Sequence, residues 1–172
     1  MKNRLQTISL DWNQTKVITF GILLILIAVV PSIVHFQWIT GPMVNAILII
    51  AAITIGPMEA IMLGLMPSTV ALATGLLPLP LAPMIPFIMI GNAIMIMTFY
   101  YMKDHFWAGI TIAALFKFAF LHGSVLLVMS KLLDGKIVSK LAVMMSWPQF
   151  ATAIIGGVIA YFILKGIKKY DQ

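Results

Sequence analysis

Residues 17–34 read VITFGILLILIAVVPSIV, a run without a single charge. A helix that crosses the roughly 30 Å hydrocarbon core of a bilayer needs about 20 mostly apolar residues, and this run supplies nearly all of them. The rest of the chain repeats the pattern. Of 172 residues, 62% are hydrophobic and 9% charged, and the mean hydropathy is +1.07. A soluble domain carries about 25% charged and 45–50% apolar residues, so a soluble fold is excluded, as are disorder, coiled coil and disulfide scaffolds. Divided among six spans, the length leaves about 29 residues for each helix and its loop. Chemistry that needs a soluble domain is therefore expected from a partner chain.

The apolar windows predict an all-α integral membrane protein, one transmembrane domain over 1–172. It is a compact bundle of about six helices, at about 17–34, 42–55, 58–77, 87–102, 106–129 and 141–164. Residues 35–40 read as a short link, Gly41-Pro42 opens the second span, and Gly56-Pro57 breaks the chain before the third. Residues 78–86, PLPLAPMIP, hold Pro78, Pro80, Pro83 and Pro86. Each interior proline removes a donor and clashes with the preceding turn, so this segment reads as a loop that is not helical throughout. The polar stretch 1–16 is longer and more mixed than a signal-peptide n-region. No small-x-small site closes the first run, which reads as a retained helix.

Eleven Lys and Arg stand against five Asp and Glu, a net charge of +6. No basic run is interleaved with aromatics, so no nucleic-acid partner is expected. The cations sit at span ends, where they meet membrane lipid headgroups and set orientation. With the N-terminus inside, Lys2, Arg4, Lys16, Lys103, Lys165, Lys168 and Lys169 are cytoplasmic, and Lys131, Lys136 and Lys140 are outside beside Asp134. That excess predicts an N-in/C-in, multi-pass protein of the cell membrane. The absence of cysteine excludes a disulfide, a thiolate metal site and a Cys nucleophile. There is no phosphate-binding glycine loop, no HExxH, no GxSxG and no acid pair within a span. No cofactor or metal is expected. An intramembrane enzyme would rest on His122 or Glu59 as general base with no second group at the same depth, so no enzymatic activity is expected.

Polar side chains are costly in hydrocarbon, so their depth carries information. On this topology Asn45, Thr74, Asn92, His122, Ser124, Trp147 and Gln149 fall within roughly the outer 15 Å of the bilayer. The inner half holds only Ser68 and Thr69 near the midplane and Glu59 near its inner end. The asymmetry predicts a polar cavity open to the outside, roofed by residues 35–40 and the proline segment. Packing readings stand beside this one. Asn, Ser and Thr also bond across helices; Trp38, Trp107 and Trp147 suit an interfacial belt; Glu59 complements a helix N-terminus. Met58, Met62 and Met66, spaced i, i+4, read as a packing stripe and not as a path for a soft cation.

Lys117 stands apart. It lies in LFKFAFLH, mid-span, with no acidic neighbour in sequence. Such a lysine must snorkel, lose its proton, or meet an anion or polar cavity. Contact with an anionic ligand and a structural contact to carbonyls or to a partner protein both remain open. Helical spacing puts Lys117 on one face with Ala113, Ala114, Leu121 and Ser124, and turns His122 about 140° away. Lys117 favours a ligand with a carboxylate or phosphate, and Trp38 and Trp147 favour a flat ring that stacks. Small residues mark close helix approach. Gly21, Ile25, Ala28 and Ser32 line one face of the first span, suited to docking another membrane protein. Ala153 with Gly157, and Gly156 with Ala160, form small-xxx-small pairs in the last.

Over nearly its whole length the chain resembles the substrate-binding S components of energy-coupling factor (ECF) vitamin transporters. The segments that carry the resemblance are 41–78, GPMVNAILIIAAITIGPMEAIMLGLMPSTVALATGLLP, and 78–93, PLPLAPMIPFIMIGNA. They look like the family's second and third helices and the loop leading into the fourth. The resemblance implies a subunit that captures a small water-soluble micronutrient outside the cell. It then topples within the membrane against a transmembrane coupling protein carrying two cytoplasmic ATPase subunits. The family's first helix often carries an alanine-xxx-alanine docking motif; here the match is Ala28-Val-Val-Pro-Ser32, with serine second and a proline between. Family ligands come chiefly from the outer halves of helices four to six and the loops above them. Asn92, Lys117, His122, Ser124, Trp147 and Gln149 occupy that region here, joined as substrate candidates by Trp38 and Asn45. The alternative is a non-catalytic membrane scaffold or assembly factor whose polar residues only pack helices.

Overall fold

The computed structural model describes residues 12–132 and 135–167, and every element among them is helical. Lys2, Arg4, Asp134, Lys168 and Lys169, which enter the orientation count, lie outside the described residues. The chain is an all-α bundle of the membrane type. Five segments are long and apolar enough to cross a bilayer: Asn13–Ile33, Gln37–Thr54, Leu79–Tyr101, Lys103–Leu127 and Gly135–Gly166. A shorter apolar stretch, Pro57–Ala73, completes the set.

Helix α1, Trp12–Ile33, turns Leu23, Ile27 and Val30 to the core and leaves Ile22, Ile25 and Val29 exposed. Helix α2, Gln37–Thr54, is the most buried element and packs chiefly on α9, Trp147–Gly166. The two run parallel, with Gly41 against Thr152 and Gly156 against Asn45. Helices α5, Ile85–Tyr101, and α6, Phe106–Ser124, form an antiparallel hairpin, closed at one end by Phe99 on Phe106 and tight at the other, where Gly91 meets Leu121. Glycine lets these axes approach: a Cβ on Gly156 would sit 2.7 Å from the Pro42 carbonyl oxygen, and one on Gly157 would overlap the Ile110 side chain. Both small-xxx-small pairs of the last span are thus internal contacts, to α2 and α6.

The predicted third span is broken. Helix α3, Pro57–Gly64, gives way at Leu65 to α4, Met66–Ala73. Pro67 has no N–H for the carbonyl of Leu63, and its ring crowds that turn, which weakens the α-helical ladder where the break falls. Together the pieces are on the order of 25 Å long, a little short of the hydrocarbon core. At the start of α3, Gly56 adopts φ 124°, a left-handed conformation that glycine permits. Glu59 pairs there with Lys16 of α1 at 3.2 Å; both are about one-third exposed, so the bridge is worth under about 1 kcal/mol.

Other boundaries also move. Residues 35–40 are not a link throughout, because α2 begins at Gln37, with Phe36 extended and its carbonyl accepting from Ile39 and Thr40. The proline segment forms a 3-10 turn, Leu79–Met84, before Pro86 enters the first turn of α5. A proline costs little where its missing donor would be unpaired anyway. The fifth span ends in a π-helical turn, Val125–Met129, followed by α7, Ser130–Leu132. The predicted sixth span starts too early: residues 141–144 belong to α8, Gly135–Met144, a separate amphipathic helix, and Pro148 fixes the start of α9. Met58, Met62 and Met66 face outward, which corrects their reading as a packing stripe; a lipid-facing surface is as apolar as a core.

These connections define two ends. Lys16, Glu59, Lys103 and Lys165 gather at one, and α8, the 3-10 turn and residues 34–36 at the other. At the α8 end Thr74 Oγ1 donates to the carbonyl of Pro31 at 3.2 Å, and His35 Nε2 donates to the carbonyl of Thr74 at 3.1 Å, tying α1 to α4.

Candidate functional site

The site is built from the most expensive group in the bundle. Lys117 lies mid-way along α6, on the face it shares with Ala113, Ala114, Leu121 and Ser124, and all five are buried. Lys117 is 3% exposed, and its Nζ donates to Asn45 Oδ1 at 2.7 Å and Asn92 Oδ1 at 2.8 Å. Three helices, α2, α5 and α6, therefore meet on one ammonium group. Asn92 extends the network: its Nδ2 donates to the carbonyl of Gly64 at 2.9 Å. That carbonyl lies at the end of α3, where the helix breaks. As the last residue of α3, Gly64 has a carbonyl of the kind a helix end leaves without an intrahelical partner, and Asn92 donates to it.

Above this network is a cavity of about 130 Å³, confined to the α8 half of the bundle. Lys117, Asn45 and Asn92 form its floor. Val44, Ala71, Leu77, Ile88 and Met144 give it apolar lining, and Gln37, Thr40 and Gln149 give it polar lining. Gln37 Nε2 and Gln149 Nε2 both donate to the carbonyl of Met144, at 3.3 and 3.2 Å, linking α2 and α9 to the end of α8. Ser68, brought inward by the kink, also lines the cavity; its Oγ is buried without a hydrogen-bond partner.

The structure brings together Asn45, Asn92, Lys117 and Gln149 of the residues singled out from sequence. The other four lie outside the cavity lining. Trp38 and Trp147 pack on each other with their planes tilted by 50° and centroids 5.0 Å apart, and Trp147 is 62% exposed. Ser124 bonds back to the Phe120 carbonyl at 2.7 Å. His122 stacks on Phe118, and its Nδ1 is buried without a partner. On α1, Gly21 and Ala28 are part-buried and Ser32 is exposed, bonded to the Ala28 carbonyl. Sequence reasoning placed Ser68 at mid-depth but did not select it. Proline one residue before it was the available signal, since a kink turns the following residues.

Asn92→Leu is expected to leave the Gly64 carbonyl unpaired and to take one acceptor from Lys117. The cost is roughly 2 kcal/mol, read as a fall in melting temperature of roughly 4–8 °C in detergent, by the scaling of soluble domains. The donor set contains no cluster of His, Asp and Glu fit for a metal ion among the described residues. What the arrangement does chemically is present one cation and one hydroxyl to a small, mostly apolar space. Fold and site together define a membrane-embedded helical bundle with a polar-floored cavity. No protein-family model, no curated protein and no solved structure matches the chain.

Proposed function

We propose that the chain is the substrate-capturing membrane subunit of an ECF-type importer. It takes a small water-soluble micronutrient from outside the cell and delivers it with a transmembrane coupling protein and two cytoplasmic ATPases. One observation carries this reading: Lys117, Asn45 and Asn92 converge beneath a cavity that occupies only one half of the bundle. A lysine held only by neutral amides in an apolar bundle is costly as pure scaffolding, and intramembrane ionisable groups commonly mark solute sites.

In this reading the end with Lys16, Lys103 and Lys165 is cytoplasmic, because Lys2, Arg4, Lys168 and Lys169 of the flanking sequence add to its count of cations, and the cavity opens outward. The chain has no native cysteine, which makes the orientation testable. Lys136→Cys on α8 is expected to react with a membrane-impermeant maleimide in intact cells, and Lys103→Cys only after permeabilisation. The reverse pattern would turn the cavity to the cytoplasm and remove the capture role.

The partner face is that of Gly21, Ala28 and Ser32 on α1. A side chain at Gly21 would meet nothing within 4 Å, so Gly21→Leu changes this surface without disturbing the fold. Isolated through a tag from its own membrane, the wild-type chain is expected to carry a coupling protein and two ATPases, and Gly21→Leu to lose them. Isolation of the wild type free of any ATPase would rule the reading out.

A further inference from the structure

We infer that the cavity takes a compact monocarboxylate, with the carboxylate on Lys117 and Ser68 and an apolar body against the walls; this deepens the proposed function and rests on it. Lys117 Nζ has three donors as an ammonium, and two end on the amide oxygens of Asn45 and Asn92. Those partners are neutral, and no Asp or Glu lines the cavity. With Lys117 protonated, the site holds one positive charge with no counter-charge in its lining and one N–H to spare.

The second observation is independent of the first. Ser68 Oγ is buried, lines the same cavity and has no partner. A buried hydroxyl is ordinarily hydrogen-bonded, so this one is a donor awaiting an acceptor. The spare N–H and the hydroxyl offer one donor to each oxygen of a carboxylate. A dianion such as a phosphate ester would carry a charge that nothing at the site balances, at high cost in low dielectric.

Size and lining set the rest of the molecule. About 130 Å³ is close to the roughly 150 Å³ apolar cavity that takes benzene. Val44, Ala71, Leu77, Ile88 and Met144 are the apolar walls. The ligand is then one ring or a short branched chain bearing a single acid group.

The test uses the full chain in lipid nanodiscs, with calorimetric titration of benzoate, benzamide and phenylphosphonate. Benzoate is expected to bind at least tenfold more tightly than either of the others, and Lys117→Met to abolish that preference. Ser68→Ala is expected to weaken benzoate roughly tenfold with the melting temperature unchanged, because Ser68 makes no hydrogen bond that the substitution would break. Benzamide binding as tightly as benzoate, or phenylphosphonate binding more tightly, overturns the monocarboxylate assignment while leaving solute capture intact. Binding of none of the three overturns the assignment too. Solute capture then stands if a small molecule co-purifies with the chain, and falls with the assignment if none does.

Discussion

Gly156→Leu is expected to lower the melting temperature of the detergent-solubilised chain by roughly 6–12 °C, a loss of about 3 kcal/mol. The site lies where α9 and α2 approach most closely. A Cβ there would stand 2.7 Å from Asn45 Cβ, 2.7 Å from the Pro42 carbonyl oxygen and 3.0 Å from the Ala46 nitrogen. Two of these three are backbone atoms of α2, so relief requires moving a whole helix and not one side chain. Asn45 sits on that stretch of α2, so the displacement also pulls an acceptor away from Lys117. Gly21→Leu is the control. With nothing within 4 Å of its Cβ, it is expected to leave the melting temperature within about 1–2 °C of wild type, as for surface substitutions.

Lys117→Met is expected to reduce affinity for the cavity's solute by at least about 100-fold, the loss of a charge-assisted bond in a desolvated site. Stability is expected to hold or rise. Two opposed terms decide this. The substitution leaves Asn45 Oδ1 and Asn92 Oδ1 without a donor, at about 1–3 kcal/mol each if dry, but both face a cavity large enough for water. Against that, it removes an ammonium whose burial costs several kcal/mol without a counter-charge. The second term wins. Binding lost with melting temperature kept is the signature of a residue retained for its ligand. A lower melting temperature with affinity unchanged would make Lys117 a structural strut and favour the scaffold reading.

The bundle was legible where hydropathy alone decides. The end of α1, both ends of α5 and the start of α6 fall within two residues of their apolar windows, because lipid demands a continuous apolar helix. Windows average over single residues, so they hid the break at Leu65, which one proline imposes, and they merged α8 with α9. The site was half legible. Lys117 announced itself through the cost of its burial, and Asn45 and Asn92 through depth. That these three converge depends on how α2, α5 and α6 rotate about their axes, which the near-uniform apolarity of the helices does not encode. The Gly64 carbonyl is backbone and invisible to any side-chain reading. Trp38 and Trp147 were chosen for their rings, and those rings meet each other across α2 and α9, clear of the cavity.

Native mass spectrometry of the chain released from its own membrane tests the central claim most directly. The wild type is expected to carry one small molecule, and Ala71→Phe, which fills the cavity, to carry none while remaining folded. A wild-type chain without any adduct, or an adduct that persists in Ala71→Phe, would contradict it.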